Sequence, residues 1–468
     1  MSNTTNNPIQ FRIIVGSYEH NVLCLSLTLP PTQPQTQSTK STKLSQPFFQ
    51  PIFHFQAHSL SIRAMDIAKR YLVTGSNDEH IKIYDLQKRK ELGTLLQHQG
   101  SITKLVFSNE IQQPEDNNDD ATTPDDGNDN DNIAHNNKKK RKHHQTKTHK
   151  NDNQTPESKH HQQQLQQQYP THKNGRWLLS AGEDGKIVIW RTKDWEQFGI
   201  LKGHTGAIND IAIHPSGRVA ISVSSDKTIK LWNLMTAKKA STLKLKGFNT
   251  LGQDAFVVRF SPSAAGEWFV VGLLNRLLVY KTRDAKVEMV LKNKVTLMCM
   301  EFLTLDGVCY LVCGFGDGVI GLWDFEKLIG STTTTAKTTK SKKGDDANSK
   351  GKKPDSTEVK EMDLPQPDIK LQGHASRIKG ISIYQEKLPS PTSTTITTTP
   401  TGTTLLTYLV SISSDGKIVV WDLHQKDQVA VYDTGERLNV ITTVNESIEK
   451  ANSMKPRYDP MKEEKEEK

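Results

Sequence analysis

The chain holds 468 residues with 61 Lys and Arg against 52 Asp and Glu, a formal net charge of +9, and a hydrophobic share of 34%. That share is a mixture of apolar repeats and very polar inserts. The opening MSNTTNNPIQ lacks the basic start and apolar core of a secretory leader, and no apolar run approaches the ~18–20 residues of a membrane span, so an intracellular protein is expected.

Taken in order, FRIIVGSYEH reads as a strand and turn and VLCLSL as a second strand. PIFHFQ follows as a third after a Pro/Gln/Thr/Ser linker at 30–50. This first unit lacks an opening strand. The second unit runs from Ala57-His58 through SIRAMDIA, YLVTGS and IKIYDL to ELGTLLQ. The third starts at Gln97-His98 with SITKLVFS, is interrupted, and resumes with RWLLSAGEDGKIVIW. The fourth is the clearest: Gly203-His204, then AINDIAI, RVAISVS and TIKLW, divided by Pro215-Ser216-Gly217 and Ser225-Asp226-Lys227, and closed by Trp232-Asn233. Each run alternates or is rich in β-branched residues, as half-buried strands are. The fifth, Phe256 to Leu291, keeps the strand pattern with Leu274 at the place of the turn Asp. The sixth has Trp323 and no opening His, and the seventh opens at Gly373-His374 and closes at Trp421-Asp422. VAVYD (429–433) finishes that unit, and ERLNVITTV (436–444) is a strand without a unit of its own.

The repeat has a fixed spacing. Ser222, Asp226 and Trp232 stand four and six residues apart, as do Ser180, Asp184 and Trp190, and Ser411, Asp415 and Trp421. Thr74, Asp78 and Tyr84 repeat the steps with Tyr for Trp; Cys313, Asp317 and Trp323 with Cys in the hydroxyl slot; Val15, Glu19 and Leu25 only in outline. With His58, His98, His204 and His374, the complete sets predict structural tetrads in which His, Ser or Thr, Asp and the aromatic ring tie three strands together. A buried indole or imidazole needs a partner, and an orphan costs about 1–3 kcal/mol. His, Ser and Asp together also suggest a hydrolase triad, but a nucleophile is expected once and on an exposed turn, not in every repeat. Such a unit resembles a WD repeat. Removing 1–10, 30–50, 109–174, 331–368, 389–404 and 451–468 leaves about 43 residues for each of seven units, within the ~40–45 of a WD blade. The expected fold is therefore all-β: one seven-bladed WD-repeat propeller over 11–444. Pairing Leu438 to Val444 with the three N-terminal strands closes the ring and leaves no open edge.

No catalytic residue, cofactor or metal site is expected. Cys24, Cys299, Cys309 and Cys313 all sit in apolar runs, none in a C-x-x-C pair; Cys309 and Cys313 lack the four convergent ligands zinc needs. Gly314-Phe315-Gly316 fits neither nucleotide-loop pattern and reads as a β-turn. The inserts are read as disordered on composition. That at 109–174 is acidic and then basic, with eight acids and no base from Glu115 to Asp131, then KKKRK. Lys138, Lys139, Lys140, Arg141 and Lys142 are the candidate nuclear-localisation signal and RNA tether. Six histidines from His135 to His161 read as solvated low complexity. The insert at 331–368 is Lys-rich, 389–404 is a Thr-rich loop, and 451–468 is a charged tail. On the propeller, the turn before each Trp strand and the loop after each Gly-His share one rim, which places Tyr18, Arg63, Asn77, Glu183, Arg377 and Lys379 at a partner-binding face.

FRIIVGSYEHNVLCL, LVTGSNDEHIKIYDL, the fourth unit and KLQGHASRIKGIS together resemble the WD-repeat family of PAK-kinase-interacting proteins, whose fungal members are the Mak-type nucleolar factors of large-subunit assembly. The resemblance covers essentially all seven units, and GSYEH is its most distinctive element. It implies a non-catalytic scaffold in the nucleus and nucleolus. Such a scaffold is needed for assembly of the large (60S) ribosomal subunit and for rRNA processing, binding pre-60S ribosome-assembly proteins and rRNA as a monomer away from membranes. The alternative it implies is a negative regulator of a PAK-type protein kinase, a signalling adaptor and kinase inhibitor. The basic inserts favour the first, and the long inserts in the third and sixth units depart from the family's pattern.

Overall fold

The computed structural model describes residues 8–30, 46–108, 173, 175–245, 252–262, 266–335, 361–389 and 403–448. The Lys138–Lys142 run, the acidic and His-rich stretches beside it, the seven lysines from Lys337 to Lys353 and the tail 451–468 all lie outside these residues. No helix among them is long and apolar enough to cross a membrane.

Seven antiparallel sheets surround one axis, six of four strands and one with a fifth strand added at its edge. In the fourth blade the strands are Ile208–Ile213, Val219–Ser224, Thr228–Asn233 and Lys238–Lys244, ordered from the axis outward. Burial follows the sequence: the second strand, VAISVS, is buried along nearly its whole length, the third, TIKLWN, buries Ile229, Lys230 and Trp232, and Lys238–Lys244 is largely exposed. The residue after the turn Asp is left-handed in several blades: Gly185, Gly318 and Gly416 at φ 72–82, and Glu79 and Lys227 at 68 and 61. A Cβ on Gly318 would lie 2.5 Å from the His374 carbonyl oxygen, so glycine is required there on two counts.

Ring closure is as the sequence requires. Leu438–Asn445 pairs antiparallel with Ile9–Ser17, from Phe11 opposite Asn445 to Ser17 opposite Leu438. Asn21–Leu29 and Phe48–Gln56 complete that blade. Leu438 and Val444 are buried, and Glu446 reaches back to Arg12 at 2.8 Å. The innermost strand of the first blade thus comes from the far end of the chain.

The core lies between blades, each aromatic plate facing the blade before it. Trp232 packs with Leu179, Ile187 and Ile189 of the third blade, Trp190 with Val73, Ile81 and Ile83 of the second, and Trp421 with Val312, Ile320 and Leu322 of the sixth. In the fifth blade Tyr280 takes this place, stacked on Phe269 at 4.7 Å.

The segment expected to be disordered from 331 to 368 is ordered at both ends. Asp324 caps a helix, Phe325–Thr335, by accepting from Glu326 N and Lys327 N at 3.1 and 3.2 Å, and the helix buries Phe325 and Leu328. Further on, Glu361–Asp363 pairs in parallel with Lys286–Lys292 as the fifth strand of the fifth blade. Glu361 is pinned between Arg276 at 2.7 Å and Lys292 at 2.9 Å, and the Pro365 carbonyl accepts the Trp323 indole N–H at 2.9 Å. Anchoring of this kind is invisible in a composition dominated by the lysines between. The loop expected at 389–404 is likewise shorter, since Pro389 pairs with Thr403.

Candidate interaction faces

Four blades assemble a relay from the second and third strands and the loop that enters the blade. His204 Nε2 lies 2.8 Å from Ser222 Oγ, His204 Nδ1 lies 2.9 Å from Asp226, and Trp232 Nε1 donates to the same Ser222 oxygen at 2.8 Å. His98, Ser180, Asp184 and Trp190 repeat this at 2.8, 3.1 and 2.9 Å. In the seventh blade His374 and Trp421 meet Ser411 at 2.8 and 2.9 Å, with Asp415 standing off at 3.5 Å. In the second, His58 meets Thr74 at 2.8 Å and Asp78 at 3.0 Å, while the Tyr84 ring fills the plate without donating an indole hydrogen bond. A sequence separation of 86 does not keep His98 from Asp184.

The electrostatics are those of a brace. Burial pushes His58, His204 and His374 below the ordinary imidazole value, against the pull of their aspartates, which keeps the rings neutral. Burial alone would raise the Asp226 carboxyl, but hydrogen bonds from Thr228, His204 and Thr205 N outweigh it and hold it at about 2. Asp184 is held at about 2 in the same way, by His98 and the amides of Gln99 and Lys186. Every serine in these sets is fully buried, so none can meet a substrate as a nucleophile. These thiols are equally unreactive: burial pushes Cys299 up to about 12 and Cys309 to about 11, and holds Cys313 well above the ordinary thiol value.

The fifth and sixth blades lack the relay for different reasons. Register places Val271 opposite Leu278 where the fourth blade has Ser222 opposite Lys230, so the fifth blade's turn is one residue shorter and no position for the Asp exists. Counting back from the aromatic ring, which put Leu274 there, misses the deletion. In the sixth, Trp323 uses the Pro365 carbonyl in place of a serine.

Because His and Asp meet across each relay, the entering loops and the turns between second and third strands share one face of the ring. The rim residues lie there. Arg63 pairs with Glu183 at 2.5 Å and reaches Asn77 at 3.5 Å, joining the second blade to the third. Asn77 donates to Ser61 at 2.6 Å, Arg377 Nε to Ser414 at 3.1 Å, and Tyr18 is 56% exposed. Lys379 is set deeper, half-buried in the mouth of the axial channel; burial, then the charges of Arg377 and Arg63, lower its pKa. The four long breaks at 31–45, 109–172, 336–360 and 390–402 fall between first and second or third and fourth strands. The described strands that flank these breaks end on the face opposite the rim.

A belt of charge around the channel of about 610 Å³ was not anticipated. Asp210 accepts Val258 N of the next blade at 2.9 Å and pairs with Arg259 at 2.5 Å and Lys104 at 3.4 Å; Arg259 continues to Glu301 at 2.8 Å. Asp66, on the innermost strand of the second blade and two positions further along it than Asp210 is in the fourth, accepts Phe107 N of the third blade at 2.7 Å. The signal was a lone carboxylate inside each apolar run, AMDIA and INDIAI. The belt locks neighbouring blades, since each carboxylate satisfies a backbone N–H that the gap between sheets would orphan.

The comparisons agree with this architecture. The family model for the WD domain, G-beta repeat, matches residues 49–85, 167–191 and 195–233. The yeast Saccharomyces cerevisiae protein MAK11 is 44% identical over 452 residues, 96% of this chain and 86% of that protein. The chicken p21-activated protein kinase-interacting protein 1-like is 30% identical over 254 residues, 54% of this chain and 49% of its own length. The human p21-activated protein kinase-interacting protein 1 is 28% identical over 277 residues, 59% and 51%.

Proposed function

From a chain that belongs to the WD-repeat family of yeast MAK11 and the p21-activated protein kinase-interacting proteins, we propose a non-catalytic nucleolar scaffold in assembly of the large ribosomal subunit. The alignment with MAK11 along 96% of the chain carries the reading, because it extends the family resemblance through every blade and not the generic repeat alone. The ring supports it physically. Its polar sets are spent on bracing, with serines sealed from solvent, so what it offers a partner is surface. The rim face presents turns for protein partners, and the sequence adds the Lys138–Lys142 run and the Lys337–Lys353 lysines, suited to nuclear import and to rRNA phosphates.

Depletion of the protein followed by pulse-labelling of rRNA tests this. Large-subunit rRNA should fall while small-subunit rRNA is spared; equal loss of both, or of neither, refutes it. The names of the vertebrate relatives favour a second reading, an adaptor that inhibits a PAK-type kinase, although those alignments cover little more than half of this chain. Inhibition of such a kinase by the purified protein, with rRNA synthesis intact on depletion, would favour that reading.

A further inference from the structure

The outer edge of the fourth blade has a charge pattern that bracing does not explain. Between Lys202 and Leu245 there are seven basic residues, Lys202, Arg218, Lys227, Lys230, Lys238, Lys239 and Lys244, and two acids, Asp210 and Asp226. Both acids are withdrawn: the Asp210 carboxylate is 4% exposed in the channel belt and that of Asp226 7% exposed in its relay. Six of the bases are exposed, all but Lys230, and none of the six makes an ion pair with a described residue. The solvent side of this blade is therefore cationic without an accessible carboxylate.

Lysine on an outer strand has an ordinary use, to stop edge-to-edge pairing of sheets, but charge of either sign serves for that. Four of the other outer strands show as much: Lys90–Leu95 (KELGTL), Glu196–Lys202 (EQFGILK) and Lys286–Lys292 (KVEMVLK) mix signs, and Asp427–Asp433 (DQVAVYD) is acidic; Phe48–Gln56 (FFQPIFHFQ) has no Lys, Arg or acid and Ile369–Gln372 (IKLQ) a single Lys. Among the described outer strands, only Lys238–Lys244, KKASTLK, carries several cations and no acid. Its register sets Lys238 opposite Asn233 and Lys244 opposite Thr228, so the cations run the length of the edge. They also turn both corners, because Leu234 N donates to the Arg218 carbonyl and Leu245 N to that of Lys227. The strip is roughly 20 Å long at ~3.3 Å per residue, the reach of about six successive phosphates on one strand.

We propose that the outer edge of the fourth blade, Arg218, Lys227, Lys238, Lys239 and Lys244, docks the phosphodiester backbone of RNA. The proposal rests on the scaffold reading and gives it a site on the folded ring, separate from the Lys138–Lys142 run and the Lys337–Lys353 lysines. Cations spread along a whole edge among small polar side chains (Ser241, Thr242) suit a repeating phosphate better than a peptide, whose side chains need pockets.

The test is fluorescence anisotropy of a labelled 20-nucleotide RNA duplex with the full chain, titrated at several salt concentrations. It compares the parent, R218E/K238E/K239E/K244E, the milder R218Q/K238Q/K239Q/K244Q, and a chain with Lys138–Lys142 replaced by Ser and Gln. All four edge positions are exposed, so circular dichroism melts should match the parent. Affinity of the reversed edge should fall at least tenfold. The logarithmic salt slope should become shallower by about 3 in the neutral variant, at ~0.7–0.9 for each lost phosphate contact. An unchanged slope in both edge variants, with loss confined to the Lys138–Lys142 chain, overturns the edge site while the scaffold reading stands. A parent that binds polyglutamate and not RNA overturns the choice of partner. A parent that binds neither, yet enters ribosomal precursors, overturns the edge site alone; one that also stays out of precursors overturns the scaffold reading.

Discussion

Replacing Trp232 with Phe separates the relay from the plate it holds. The indole is 1% exposed and fills the seam with Leu179, Ile187, Ile189 and Ile208, and its N–H donates to Ser222 at 2.8 Å. Trp232→Ala removes both contributions and should cost about 3–5 kcal/mol. Phe keeps most of the ring and leaves Ser222 with His204 as its remaining partner. The loss is then one hydrogen bond of about 0.5–1.5 kcal/mol plus a small void of about 1 kcal/mol, or about 1.5–2.5 in all. Ser222 meets both His204 and Trp232, so Ser222→Ala with Trp232→Phe should cost less than the sum of the single changes by about 0.5–2 kcal/mol. Trp323→Phe has no relay to break and gives no such coupling with Cys313→Ala. Urea unfolding followed by circular dichroism reads these differences. Strict additivity at Ser222 and Trp232, or a Trp232→Phe protein within 0.3 kcal/mol of the parent, would refute the relay as a unit.

Truncation after Asp433 removes Leu438–Asn445, strips Ile9–Ser17 of its inner partner and should give aggregation on light scattering; a chain ending at 448 should remain monodisperse, and equal behaviour contradicts closure. Stability should fall in acid in two stages. His58, His204 and His374 sit below the ordinary 6.5, so the unfolded chain binds more protons; their contribution is whole above about pH 6.5 and is lost as pH falls through the folded values. Asp184 and Asp226, at about 2 against an ordinary 3.8, add a second loss between those values. A melting temperature equal at pH 7.5 and pH 5 contradicts the first stage. Reversing Arg63, Arg377 and Lys379 to Glu together should weaken co-purification of assembly proteins while the melt shifts by only a few degrees; undiminished co-purification puts the protein partners elsewhere.

The ring was legible because its signals are local and repeated. A four-and-six spacing among Ser, Asp and Trp identifies blades, and a strand left over at one end with a strand missing at the other identifies the closure. What escaped depends on contacts distant in sequence. Glu361 joins the fifth blade because Arg276 and Lys292 await it, more than 60 residues upstream, amid a composition that reads as a solvated tract. The belt of Lys104, Asp210, Arg259 and Glu301 draws one residue from each of four blades, so no window of sequence contains it. The one-residue deletion in the fifth blade's turn shows only when strands are aligned by register. The repeat puts the rim residues on the face of the entering loops, but the depth of Lys379 in the channel mouth follows from ring curvature.

Sedimentation of the tagged full-length protein through a sucrose gradient of nuclear extract tests the scaffold reading most directly. The protein should travel with particles containing large-subunit precursor rRNA, and RNase treatment should return it to the top of the gradient. A protein found only at the top, or with small-subunit precursors, contradicts the account.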